Sequence, residues 1–368
     1  MSTGSLAAVV MVAFFGAMMC LAPAVTRPTV PFGVRVPPEH ARATVIRRER
    51  HTYQYRTAAI CACCTVIAVL VHGHGSWWLA RLVLLAELAA DFGCYQIARR
   101  NITAVKHAER WYAGHRQVMA TDTSWRTDPP RFPVRWLMPA LAVIAATVIV
   151  GVIRYPDLPA RLAAGFGHRS APKSVVSAFA IVIGQVYVTL LWTGLMLIVY
   201  RSRPDIEAAD PAASTRRYRR FLAACTRAIL ILLALVDLSL LLAALGEWQV
   251  YRASGPGSAL PVLPLAVGLL LLAVVTFRTG QGGSRLPGPS PSPGGRRPGP
   301  ADGADRDDDR FWKAGLIYLN RDDPAIMVGA RFGVGWTFNV ANPMAWLVIA
   351  GIIAVPAGLI AIAAATGL

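Results

Sequence analysis

With 368 residues, 55% of them hydrophobic and only 15% charged, the chain lies outside the range of soluble globular domains, and its apolar residues come in long blocks instead of periodic stripes. A net charge of +17 would point to nucleic acid in a soluble protein, but here the placement of the charge excludes that class and points to a membrane surface. The fold class expected is all-α, a polytopic integral membrane protein.

Apolar runs of about 20 residues are the length a bilayer requires. Eight occur, at 6–25, 57–71, 77–97, 136–153, 175–200, 221–245, 260–277 and 343–365. The second is short and borrows Tyr53 to Arg56 as an interfacial end. The stretches 26–56, 98–135, 201–220 and 278–342 hold seven, eight, six and nine Lys or Arg, whereas the loops after the second, fourth and sixth runs hold none, four and one. Basic loops stay on the cytoplasmic side during insertion, so this alternation predicts a cell-membrane protein with both termini outside. Its basic loops then face anionic inner-leaflet lipid, with no nucleic-acid partner. The chain divides into a first transmembrane helix with its basic loop (1–56), a helical hairpin with a basic amphipathic loop (57–135) and four transmembrane helices (136–279). A Gly/Pro/Ser linker (280–310), an aromatic and Gly-rich interfacial module (311–342) and a last transmembrane helix (343–368) complete it.

The first run carries Ala22-Pro23-Ala24, a small-residue pattern like a cleavage site. No Lys or Arg precedes it and seven follow, the reverse of a secretory leader, so an anchor is expected. Pro31-Phe32-Gly33-Val34-Arg35-Val36-Pro37-Pro38 then sets an extended backbone, and a helix is expected from near Glu39 with Arg42, Arg47, Arg48 and Arg50 on it. All six cysteines fall in apolar runs, which excludes an external disulfide framework. Cys61 and Cys64 have a C-x-x-C spacing, but a metal site needs a second ligand pair. His72 and His74 flank a glycine in a short turn and supply no third ligand. No metal or cofactor is expected.

Ionisable residues inside apolar runs are costly, about 2.5 to 3.5 kcal/mol each at the bilayer centre. Glu87 and Asp91 sit one turn apart in the third run and Asp237 is near the middle of the sixth. They form a proton or cation path, pair with Arg81 or Arg227, or are structural and hydrogen bond to Ser, Thr or Gln185 of neighbouring helices; all three readings stand at this point. The external loop Tyr155-Pro156-Asp157-Leu158-Pro159 is stiff and partly apolar, a surface that packs on helix ends or meets a partner. The linker is expected to be flexible, and its Asp307-Asp308-Asp309 run reads as a solvated charge cluster.

The module 311–342 is too polar to span and too aromatic for plain linker. Trp312, Tyr318, Phe332, Trp336 and Phe338 give an aromatic surface, with Lys313, Arg321 and Arg331 facing anionic lipid. Two short amphipathic pieces folding about Asp322-Asp323-Pro324 are expected to form an interfacial hairpin that docks on the cytoplasmic loops through Arg331 and Trp336. The plainer alternative is a collar that anchors the last helix.

The phrases at residues 31–38, 155–159 and 311–342 together resemble a family of multi-pass membrane proteins of unknown function, chiefly actinobacterial. The middle phrase is similar to the signature of the domain that opens the sporulation-delay immunity proteins, and the last resembles a second domain of unknown function that often closes such chains. That signature ends in Pro-x-His-Phe, where this chain has Ala163-Ala164-Gly165-Phe166. The resemblance implies a non-enzymatic membrane protein of toxin immunity or signal sensing, with no catalytic residues to transfer and an envelope peptide or protein as partner. The alternative is a small-solute or proton-coupled ion transporter using Glu87, Asp91 and Asp237.

Overall fold

The computed structural model describes residues 3–72, 77–112, 128–163, 170–202, 211–251, 257, 259–287 and 308–365. The chain is mostly helical. Among the described residues the long helices are α1 (Thr3–Val25), α2 (Thr44–His72), α3 (Trp77–Ala108), α4 (Met138–Arg154), α5 (Val175–Arg201), α6 (Pro211–Glu247), α7 (Val262–Thr279) and α8 (Pro343–Ala365). Among the described residues, five segments are long and apolar enough to cross a membrane: Thr44–Val71, Val134–Asp157, Val175–Arg201, Ala213–Glu247 and Val262–Gly283. Leucines stand outward on several helices, among them Leu70, Leu190, Leu270 and Leu347, all at least 65% exposed. So much exposed apolar surface is unusual for a protein bathed in water.

The chain forms two compact units. The first comprises Met1–Thr123, Arg203–Phe221 and Phe277–Asn342, and the second Ser124–Ser202, Leu222–Thr276 and Pro343–Leu368. In the first, α1, α2 and α3 pack on one another. The helix expected from Glu39 begins later: Pro38–His40 forms a single 3-10 turn and α2 starts at Thr44, running unbroken to His72. The polar end 44–56 is thus one rod with the apolar run that follows it.

Short strands add to the expected all-helical class. β1 (Arg161–Ala163) pairs antiparallel with β2 (Ser170–Pro172), β3 (Trp312–Lys313) with β4 (Ile317–Tyr318), and β5 (Met327–Gly329) with β6 (Trp336–Phe338). The last four replace the amphipathic pieces expected in the module. Trp312 and Tyr318 face inward while Lys313 and Ile317 face outward, the period of two that strands impose. The turn between β3 and β4 carries positive φ at Ala314 (52°) and Gly315 (73°), the conformation that tight hairpins demand. Part of the expected linker is also folded: Gln281–Gly283 forms a 3-10 turn in the first unit, and residues 288–307 lie outside the described set.

In the second unit, Ser174 caps α5 in a reciprocal box with Ser177, each closing the other's free backbone amide. Leu158, Leu162, Ala178, Ala244 and Trp248 make one apolar cluster and Ala140, Leu230 and Leu233 another. The Tyr187 hydroxyl donates to the Ile352 carbonyl oxygen at 2.9 Å and ties α8 to α5.

Candidate functional site

The sequence 31–36 supplies the floor of the site. Phe32 and Gly33 both take positive φ (47° and 71°), which bends the chain sharply and buries the Phe32 ring. That ring lies 5.1 Å from Tyr53 of α2, 6.1 Å from Tyr95 of α3 and 5.8 Å from Phe332 of the module, centroid to centroid. Phe332 reaches Tyr95 at 4.7 Å and Tyr53 at 6.1 Å, so one aromatic cluster joins the early loop, two helices and the module. Gly33 is needed where it stands, because a Cβ there would fall 2.5 Å from the Gly315 carbonyl oxygen and 2.6 Å from the Tyr95 hydroxyl.

Around this apolar floor runs a charged clasp. Asp309 accepts from Lys106 Nζ at 2.7 Å, from the Arg35 backbone N–H at 3.2 Å and from the Arg331 guanidinium. Arg331 also donates to the Gly33 carbonyl oxygen at 3.0 Å and lies 4.7 Å over the Trp312 ring, while Arg99 donates to the same carbonyl at 2.9 Å. Arg331 and Lys106 are only 6% and 8% exposed, against 25% for Asp309. Burial pushes the Asp309 carboxyl up, but Arg331 and Lys106 outweigh it and hold the group below the ordinary carboxylate range. Asp309 thus departs from its sequence reading as part of a solvated acidic run: three donors from three separate segments meet on it. Asp307 lies outside the described residues.

The module has a polar core of its own. Tyr318 donates to Asp323 Oδ2 (3.1 Å), Asn320 Nδ2 donates to the Tyr318 hydroxyl (3.1 Å), and Asn339 Nδ2 donates to the carbonyl oxygens of Asn320 (2.8 Å) and Asp323 (3.0 Å). Asn320, Asp323 and Asn339 are at most 3% exposed, so these bonds fix a single arrangement of the two hairpins. Gln281, also buried, donates to the carbonyl oxygens of Ala330 and Gly335 and accepts from the Gly335 amide. The sequence marks Asp323 only as part of the Asp322-Asp323-Pro324 turn and Asp309 only as part of an acidic run, and it gives Asn320, Asn339, Gln281 and Lys106 no role in a site. The Asn and Asp spacing of the module was the available signal, and it was read as turn chemistry alone.

The residues singled out from sequence fall into three groups. Trp312 and Arg331 stack in the clasp, and Trp336 donates through Nε1 to the Tyr218 hydroxyl (3.2 Å) with its ring 5.7 Å from Phe221. In the 155–159 loop, Leu158 is buried in the second unit's core, Tyr155 and Pro159 are half-buried and Pro156 is exposed. Lys173 clamps this loop, donating to the Pro156 and Leu158 carbonyl oxygens and lying 5.0 Å over the Tyr155 ring. Asp237 accepts from Thr189 at 3.0 Å, and its backbone carbonyl accepts from Gln185 at 2.8 Å. Glu87 and Asp91 are buried on α3 in the first unit. His74 lies outside the described residues, and all six cysteines are free thiols.

The fold and site define a mostly helical protein with membrane-like helices and a small two-hairpin module built onto its early loop. Residues 321–346, covering β5, β6 and the start of α8, match a family of unknown function (DUF5808). No curated protein and no solved structure matches the chain.

Proposed function

We propose that the chain is an eight-span, non-enzymatic protein of the cell membrane with both termini outside, acting in envelope immunity or signalling. In this reading α1, α3 and α8 cross the membrane beside the five long apolar helices. Support comes from the match between helix positions and the alternation of basic and charge-poor loops. α3 has the length to cross, at 32 residues, but carries Arg81, Glu87 and Asp91 within its apolar half. The similarity of the 155–159 phrase to immunity proteins supports an envelope peptide or protein as the partner of that loop. The basic loops and the module face anionic lipid on the inner side.

The observation that carries the signalling reading is the clasp on Asp309. It fastens the module at once to the early loop and to the far end of α3, so a shift of α3 along its axis would strain or release the module. A strain lacking the chain, challenged with envelope-active peptides, tests this. Increased sensitivity, restored by the wild type and not by an Arg331→Ala, Trp336→Ala double variant, is expected; unchanged sensitivity would contradict the reading. A second reading, cation transport, is favoured by the buried carboxylates of α3, and loss of cation flux in vesicles on Glu87→Gln would select it.

A further inference from the structure

Glu87 and Asp91 are 0% and 2% exposed, and none of their four carboxylate oxygens has a hydrogen-bond partner among the described residues. α1 seals one side of the pair: a Cβ on Gly16 would come within 2.3 Å of Glu87 Oε1, so helix backbone lies directly against the carboxyl. α2 brings the Cys61 thiol beside Glu87, where it interacts with that carboxyl and also donates to the Ala13 carbonyl oxygen (3.8 Å). α2 also brings Tyr53, 2% exposed, whose hydroxyl has no partner either and stands within electrostatic reach of Asp91. The remaining titratable groups in reach of the pair or of this hydroxyl are Cys20 of α1, Cys64 of α2, and Cys94 and Tyr95 of α3, and the cation of Arg56 on α2 stands in reach of Cys94. Asp237, in the second unit, differs in having Thr189 as a donor.

Two carboxyls one helical turn apart repel when both are ionised, and each buried charge without a partner costs several kcal/mol on an order-of-magnitude scale. The α3 pair therefore presents hard oxygen acceptors, with a phenol oxygen in electrostatic reach, in a buried position where no hydrogen-bond donor meets them among the described residues. Carboxylate and phenol oxygens suit a hard, small ion, whereas a soft metal would draw on the thiols. We propose that Glu87, Asp91 and Tyr53 form a binding site for a small monovalent cation, delivered either as a proton or as an alkali metal ion. The proposal rests on the reading in which α3 crosses the membrane, but it does not require transport: a cation held here offsets one of the two carboxylate charges, relieves their repulsion and fixes α3 against α1 and α2. Because α3 also carries Lys106 of the Asp309 clasp, occupancy of the site bears on the module.

The test uses the full chain in lipid nanodiscs, with thermal unfolding followed across pH and with choline, sodium or potassium chloride at constant ionic strength. The wild type is expected to shift its Tm by at least about 2 °C either with pH or with the alkali ion. The first outcome assigns a proton and the second a metal ion, and the Glu87→Gln, Asp91→Asn double variant is expected to lose the dependence. Equal pH and alkali-ion dependence in wild type and double variant would overturn the site. Where the double variant does not fold, carboxyl-stretch infrared difference spectra of the wild type and of Asp91→Asn are compared under the same exchanges, and identical spectra overturn the proposal. Cation flux in proteoliposomes is a separate readout: binding without flux keeps the site and removes the transport reading.

Discussion

The Arg331 guanidinium donates to the Gly33 carbonyl oxygen at 3.0 Å, joining residues 298 positions apart in the chain. With Asp309 accepting from Arg331, Lys106 and the Arg35 amide, the segment before the last helix is pinned to the segment after the first. The helices set the frame, and these few polar contacts decide where the module rests on it.

Removing the acceptor leaves two nearly buried cations behind. Asp309→Ala is expected to destabilise the module by about 2 to 4 kcal/mol, somewhat under the 3 to 5 kcal/mol of a fully buried broken pair because Asp309 keeps some solvent contact. Protease cleavage within residues 311–342 of the detergent-solubilised protein should become faster, with the helices still intact by circular dichroism.

The same clasp has a pH signature. The folded-state value of Asp309 lies below its unfolded value, so its contribution is present above the ordinary carboxylate pKa of about 3.9 and is lost as pH falls through the lowered folded value. Amide exchange in the module is therefore expected to be insensitive to this group near neutrality and to rise only in strong acid. Asp309→Asn should flatten that acid limb.

Phe332 is the apolar counterpart of the clasp. Phe332→Ala is expected to cost roughly 2 to 3 kcal/mol, below the 3 to 5 kcal/mol of a fully buried phenylalanine because the ring is only partly buried. Phe332→Leu should recover more than half of that loss. Thermal melts of the two variants in one detergent provide the comparison.

Each apolar run noted in the sequence overlaps a helix, because run length and uniform hydrophobicity are local properties. The fold of the module about a turn was legible but its β-hairpins were not, since strands of two or three residues carry too little alternation to distinguish from turns. Arg331 and Trp336 stood out by their chemistry. Asp309 and Gln281 did not, because one hides in an acidic run and the other in a Gly-rich turn, and their partners lie 274 and 54 residues away. Long-range pairing of this kind leaves no mark on local composition.

The 155–159 loop separates stability from partner contact. Leu158→Ala removes a buried side chain and is expected to destabilise the second unit by about 2 to 4 kcal/mol. Pro156→Ser, at an exposed position, should leave the Tm within about 1 °C while weakening any envelope interaction. Co-purification of cross-linked envelope components from cells carrying each variant checks the difference.

The eight-span arrangement, with the clasped module on the inner side, is tested most directly by a membrane-impermeant thiol reagent. In a variant whose six native cysteines are replaced by Ala, single cysteines would be introduced at Ser76, Ala160, Ser254, Ser290 and Lys313. The first three are expected to label in intact cells and the last two only after permeabilisation. Labelling of Lys313→Cys in intact cells, or silence at Ala160→Cys until the membrane is opened, would contradict the arrangement.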